Sequence, residues 1–159
     1  MEARIISRAE TSVVGMKKEM SLMHDQTFVL WNQFMSRRQE IKNNKNAELI
    51  SMTEYRGGMS LQHFTPQTIF DKWACVEVND NKELPEGFES KMLPETLYAV
   101  FTYRGKAEGA GNFFRKIFTE WLPNSGYQLG EGPHLAIMGE KYKGNVEDSE
   151  EEIFIPIVR

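Results

Sequence analysis

The stretch "HLAIMGEKYK" (His134–Lys143) alternates as a β-strand does, which sets His134, Ala136, Met138 and Glu140 on one face. The middle of that face carries a bare methyl group, with a histidine two residues before it and a thioether two residues after. Ala136 packs little and contributes no chemistry, so the position reads either as the wall of a pocket or as a tight contact between sheet and helix. The rest of the chain decides between the two.

Upstream, "ETLYAVFTYRG" (Glu95–Gly105) reads as a strand. In "NFFRKIFTEWL" (Asn112–Leu122), Phe114, Ile117, Phe118 and Trp121 fall at i, i+3, i+4 and i+7, and Pro123 ends the helix they predict. Downstream, "EEEIFIPIVR" (Glu150–Arg159) is a last strand. The first half has the same order. "TSVVGMKKEMS" (Thr11–Ser21) has strand character over Ser12–Met16. An amphipathic helix is predicted over Gln26–Lys42 from Phe28, Trp31, Met35 and Leu30, Phe34, Ile41, with Asp25 as its cap. "ELISMTEYR" (Glu48–Arg56) and "FDKWACVEVN" (Phe70–Asn79) follow as strands around the turn-rich "GGMSLQHFTPQ" (Gly57–Gln67).

Matching Val13 with Ala99, Leu49 with Leu135 and Trp73 with Phe154 gives offsets of 86 (13 to 99), 86 (49 to 135) and 81 (73 to 154). The chain therefore reads as one α+β domain, 1–159, made of a tandem repeat of strand–helix–strand–strand units. Repeat 1 covers about 1–80, repeat 2 about 95–159, and "NDNKELPEGFESKMLP" (Asn79–Pro94) is the connector. Two such units place both helices on one face of a shared antiparallel sheet, burying Phe34 and Phe118, and leave the other face bare as a central cleft. Ile50, Met52 and Glu54 then occupy in the first half the places of Ala136, Met138 and Glu140 in the second.

Composition narrows the function. The 159 residues are 40% hydrophobic and 26% charged, a globular balance with length for a sizeable core. A net charge of −4 with scattered Lys and Arg argues against a nucleic-acid partner. Cys75 is the only cysteine, so intramolecular disulfides and multi-thiolate metal sites are excluded and a cytoplasmic location is expected. No apolar run is long enough to span a membrane, and no export signal is expected.

"LPEGFESKMLPETLYAVFTYRGK" (Leu84–Lys106), "WLPNSGYQL" (Trp121–Leu129), "PHLAIMGEKYKGN" (Pro133–Asn145) and "SEEEIFIPIV" (Ser149–Val158) together resemble the GyrI-like small-molecule-binding family, the effector-binding domain of AraC-type and multidrug-responsive regulators. The resemblance runs over essentially the whole chain and is strongest from Leu84 onward. It implies the tandem fold, a cleft for organic ligands, and a role as ligand sensor or sequestering protein; some members hydrolyse cyclopropane-bearing natural products. In the family the strand matching "HLAIMGEKY" commonly places a glutamate into the pocket where this chain has Ala136. Loss of a buried carboxylate from a cation site typically costs about 2–5 kcal/mol of binding, which argues against an inherited preference for cations.

Rings and thioethers suit flat apolar ligands. Trp31 and Trp121 fall on helices and read as core. With the resemblance, Ile50, Met52, Trp73, Tyr103, Ala136, Met138 and Phe154 are the expected ligand contacts. Glu54 and Glu140, read as equivalent strand-end residues, are a carboxylate pair at the cleft mouth or simply solvated, and Glu152 shares a face with Phe154. The acidic run Glu147–Glu152 lacks calcium-loop spacing and reads as a solvated hairpin loop. His24, His63 and His134 form no metal cluster, His134 reads as structural, and there is no Gly-x-Ser-x-Gly elbow. Gly105, Gly109 and Gly111 match neither a phosphate loop nor a dinucleotide fingerprint, so no cofactor is expected.

The expected function is binding of a small, mostly apolar or aromatic organic molecule in the inter-repeat cleft. One alternative is a hydrolase of strained electrophilic toxins, with Glu54 or Glu140 as base and Trp73 or Tyr103 positioning the substrate. The other is a module with a protein partner, such as a topoisomerase modulator. No helix-turn-helix pattern is read, so any regulation is expected to be indirect.

Overall fold

Among the described residues, period-two runs rich in β-branched and aromatic residues form nine strands. They are β1 (Arg4–Arg8), β2 (Thr11–Met20), β3 (Leu49–Tyr55), β4 (Phe70–Val78), β5 (Glu89–Leu93), β6 (Thr96–Arg104), β7 (Gln128–Leu129), β8 (His134–Met138) and β9 (Glu150–Val158). Helix α1 (Thr27–Arg37) follows β2, and Asp25 Oδ1 accepts the Thr27 N–H at 2.9 Å just ahead of it. Helix α2 (Ala110–Lys116) runs through a π-helical turn (Ile117–Trp121) into α3 (Leu122–Ser125), where Pro123 sits in the first turn and Gly126, at φ 81°, ends it. The computed structural model describes residues 1–57, 63–80, 82 and 84–159, so the centre of the turn-rich 57–67 segment and parts of the 79–94 connector lie outside the described residues.

All pairings are antiparallel, in the order β1-β6-β9-β8-β3-β4-β2-β5, with β7 on β9. The six inner strands form two triplets, β6-β9-β8 and β2-β4-β3, with the same internal order, as a duplicated strand–helix–strand–strand unit requires. They meet at the β3–β8 pair.

The outer edges depart from the sequence reading. Strand β1 precedes β2 in the chain yet pairs with β6, and β5 precedes β6 yet pairs with β2. Each half therefore lends its leading strand to the other, and the connector contains one of the two exchanged strands. The links match: Thr11 Oγ1 donates to the Ala9 carbonyl at 2.8 Å, and Thr96 Oγ1 donates to the Pro94 carbonyl at 2.8 Å.

These matches fix the repeat offset at 85 (4 to 89, 11 to 96, 49 to 134) rather than 86. Because successive side chains point to opposite faces, that single residue moves Ala136 and Met138, which an offset of 86 matches with Ile50 and Met52, to the other side of the sheet. Val13 corresponds to Tyr98, Ile50 to Leu135, Met52 to Ile137 and Ser51 to Ala136. Ser51 and Ala136 also oppose each other across β3 and β8, so the pseudo-twofold passes between them.

Both helices cover one face, as expected. Leu30 and Phe34 of α1 pack on Val14, Ala74 and Val76, and Ile117 packs on Ala99, Phe101 and Ile155. Phe34 is fully buried, whereas Phe118 is half-buried and Ile117, inside the π turn, is the residue fully covered. Phe28 is 79% exposed, so the buried stripe of α1 is the Leu30–Phe34 one.

The other face is not bare. Val13, Ile50, Met52, Trp73, Tyr98 and Ile137 belong to a second apolar cluster on it, and all are buried. Five strand spacings of roughly 4.8 Å separate β1 from β4, roughly 24 Å in a flat sheet, yet Arg8 of β1 reaches Glu77 of β4 at 3.4 Å. The sheet is curled, and the exchanged strands β1 and β5 close over its concave side.

Gly15, in the middle of β2 between Cys75 and Glu89, shows how tightly the layers fit. A Cβ there would stand 2.0 Å from the Ala74 carbonyl oxygen and 2.6 Å from Cys75 Cα, both backbone atoms. Gly15→Ala is expected to cost about 2–4 kcal/mol, read as a lowered urea midpoint with an unchanged m-value.

Candidate functional site

The concave face brings together Ile50, Met52, Trp73 and Phe154, four of the expected ligand contacts, but as packed core: Met52 is 0% and Trp73 3% exposed. Phe154 stands edge-on to Tyr98 at 5.5 Å, and the Arg8 guanidinium lies 5.6 Å over its ring. Cys75 lies in the same cluster, where burial pushes its thiol up and removes it as a nucleophile at neutral pH.

Ala136, Met138 and Tyr103 are not on this face. Ala136, partly buried, packs against the cluster beneath α2, so the bare methyl faces the helix side of the sheet. Met138 shares its side of β8 and opposes Leu49, which packs on the α1 cluster. Tyr103 packs on Phe113, with ring centroids 5.0 Å apart, and its hydroxyl donates to the Lys106 carbonyl. An even offset sets Ala136 and Met138 in the places of Ile50 and Met52, and the odd one turns them over; Tyr103, expected as a contact from the family resemblance, packs instead in the cluster beneath α2. His134 is buried on the same side, 4.9 Å from the Tyr55 ring and 6.0 Å from the Phe118 ring, and burial pushes its pKa down to about 4.

Where β8 ends, the concave face opens. A cavity of about 610 Å³ is lined by Ile137, Thr102, Gly139, Glu48, Glu140 and Glu152, among others. Ile137 provides a buried apolar wall, and Gly139 leaves space where a Cβ would meet only the Glu48 side chain, Oε2 at 3.4 Å and Cγ at 3.9 Å. The lining holds Glu48, Glu140, Glu150, Glu151 and Glu152 against Lys141, so its potential favours cations. Glu152 is paired with Arg4 of the exchanged strand β1. The acidic run thus divides: Glu147 and Asp148 are exposed in a loop, with Asp148 2.7 Å from Lys143 Nζ, while Glu150–Glu152 open β9 and line the cavity. The signal for Glu152 was its two-residue spacing from Phe154.

The twofold-related end, in the first half, is occupied by the chain's own side chains. Glu54 Oε1 accepts the Trp73 indole N–H at 2.5 Å, Lys91 Nζ of β5 lies 2.5 Å from Glu54 Oε2, and Lys17 Nζ stands 5.7 Å from the Trp73 ring centroid. In the observed register Glu54 corresponds to Gly139 and Lys17 to Thr102. Trp73, opposite Met52, corresponds to Glu152, opposite Ile137 in the strand network. Glu140 matches Tyr55, not Glu54, and it lines the cavity while Glu54 does not. The two carboxylates therefore do not form the pair expected at a shared mouth. Among the described residues, no group of three or more His, Cys, Asp or Glu is arranged to hold a metal ion.

The sequence matches a known family: the profile of the GyrI-like small molecule binding domain covers residues 1–158. The chain belongs to the GyrI-like family. It is 30% identical over 158 residues to the transcriptional regulator BrlR of Pseudomonas aeruginosa, matching 99% of this chain and 56% of BrlR, so this GyrI-like chain spans about half the length of that regulator. Its fold is shared with SAV2435, solved bound to tetraphenylphosphonium, at a TM-score of 0.70 and 15% identity over 99% of this chain and 94% of that one. It is shared as well with the EcmrR C-terminal domain, at 0.71 and 13% over 99% and 98%. Among the described residues, no helix of this GyrI-like domain is long and apolar enough to cross a membrane.

His134 links the packing to pH. Its folded pKa lies below the ordinary histidine value, so the unfolded chain takes up a proton first, and stability is lost as pH falls from about 6.5 towards 4. Denaturant titrations at pH 7 and 4.5 are expected to differ by about 2 kcal/mol through this residue. His134→Phe, which suits the Tyr55 and Phe118 surroundings, is expected to remove that component.

Proposed function

We propose that this GyrI-like domain binds a small, largely apolar organic cation in the 610 Å³ cavity at the end of β8, and that it serves as a ligand sensor or sequestering module. The observation that carries the reading is the combination of an apolar wall, Ile137, with a rim of carboxylates in a space that Gly139 and Thr102 leave open. An apolar body gains from leaving water against Ile137, and a delocalised positive charge finds Glu152 and its neighbours without first shedding a tight hydration shell. Glu152 supplies the nearest counter-charge on the concave face, and Arg4 is the group a ligand cation displaces from it.

Two likenesses support the reading. SAV2435 carries the same fold and was solved with a lipophilic cation, and BrlR is a transcriptional regulator. Cation binding here is assigned to Glu152 rather than to position 136, which faces the helices. Trp73→Ala is a poor probe of the site, because it opens a hole in packed core.

Tetraphenylphosphonium and a neutral tetraphenyl compound, titrated calorimetrically against the full chain, test the proposal. Gly139→Leu, which fills the cavity, is expected to weaken both by about tenfold or more, roughly 1.4 kcal/mol. Glu152→Gln is expected to weaken the cation selectively, by about fivefold or roughly 1 kcal/mol. Affinities unchanged in both variants would remove the cavity as the binding site.

A further inference from the structure

The filled end of the concave face contains what a cation site needs. Glu54 is a carboxylate 23% exposed, fixed by the indole N–H of Trp73, and Trp73, itself 3% exposed, has a ring face that lies under Lys17. Both features are already engaged by the chain's own ammonium groups: Lys91 Nζ is 2.5 Å from Glu54 Oε2, and Lys17 Nζ is 5.7 Å from the Trp73 ring centroid. We propose that Glu54 and Trp73 form a second organic-cation site, and that Lys17 and Lys91 hold it closed as tethered cations.

The pseudo-twofold supplies the control. At the open end, Thr102 stands where Lys17 stands and Gly139 where Glu54 stands, and the position of Lys91 is held by Ile6, which opposes Tyr98 as Lys91 opposes Val13. The end without the two lysines is the end with the cavity. Both lysines reach the site from its solvent side, with side chains 37% and 35% exposed, so their removal leaves the buried layer intact. Half-exposed ion pairs hold weakly, and an organic cation with an aromatic body competes for the same carboxylate while also stacking on the indole. The ligand class is a singly charged quaternary ammonium with an aromatic substituent. Lys17 is also engaged by Glu89, 3.7 Å away on β5, so the two closures share one exchanged strand.

Benzyltrimethylammonium is the probe, titrated against the full chain and followed by calorimetry and tryptophan emission. The combined variant Lys17→Ala, Lys91→Ala is expected to bind it at least tenfold more tightly than the parent chain, with quenching, and Glu54→Gln added to that variant is expected to abolish the gain. Gly139→Leu in the same background separates the two sites: it removes binding at the cavity and leaves the gain at Glu54 in place. Binding within twofold of the parent chain, a gain that survives Glu54→Gln, or a gain lost with Gly139→Leu would each overturn the proposal. If the double variant does not fold, each single lysine variant is expected to gain at least threefold, and the absence of any gain overturns the proposal as well. A parent chain that fails to bind tetraphenylphosphonium bears on the cavity alone.

Discussion

The antiparallel pairing of Ser51 with Ala136, two residues that are also repeat equivalents, is the constraint on which the rest of the molecule depends. It places the pseudo-twofold between β3 and β8, which makes the repeat offset odd. An odd offset decides which side chains of each half reach the concave side and which meet the helices. Ile50, Met52, Leu135 and Ile137 then converge from both halves on one face, while Ala136 and Tyr103 pack in the cluster beneath α2 on the other, the side that Met138 shares. Small residues at the axis suit a strand pair that carries a sheet face on each side.

The exchanged strands complete that arrangement chemically as well as sterically. Strand β1 brings Arg4 to Glu152 and Arg8 over Phe154, and β5 brings Lys91 to Glu54. Each end of the concave face thus has a carboxylate neutralised by a cation from the other half's leading strand. The ends differ in bulk: Thr102 and Gly139 leave space where Lys17 and Glu54 fill it. Duplication set up two equivalent ends, and different residues at two matched positions left space at one of them.

Much of this was legible in the sequence. The helical stripes of Leu30–Phe34 and Ile117–Trp121 and the alternating runs of β2, β4, β6 and β9 are local patterns, and they gave the fold class and the shared helix face. The exchanged strands were not legible: Arg4–Arg8 and Glu89–Leu93 are five residues each, mix charge with apolar residues, and find partners outside their own repeat. Without them the concave face reads as bare, so Ile50, Met52, Trp73 and Phe154 read as pocket wall when they are core. The facing of Ala136 failed for a sharper reason. His134 and Met138 suit a pocket or a helix contact equally, so only the offset distinguishes the two faces, and matching apolar residues one place out satisfies the pattern almost as well.

The strand exchange has a consequence for how such a chain folds and arose. A single half cut from it would carry a leading strand with nothing beside it and a β2 or β6 with an unpaired edge, the kind of edge that recruits another chain. Two copies of that half satisfy both needs at once by trading leading strands. The present molecule has the topology of such a swapped dimer, written into one polypeptide by the 79–94 segment. Neither half can finish its sheet alone, and since Arg4 must find Val100 before the first edge closes, the sheet is completed only through contacts distant in sequence, which slow folding.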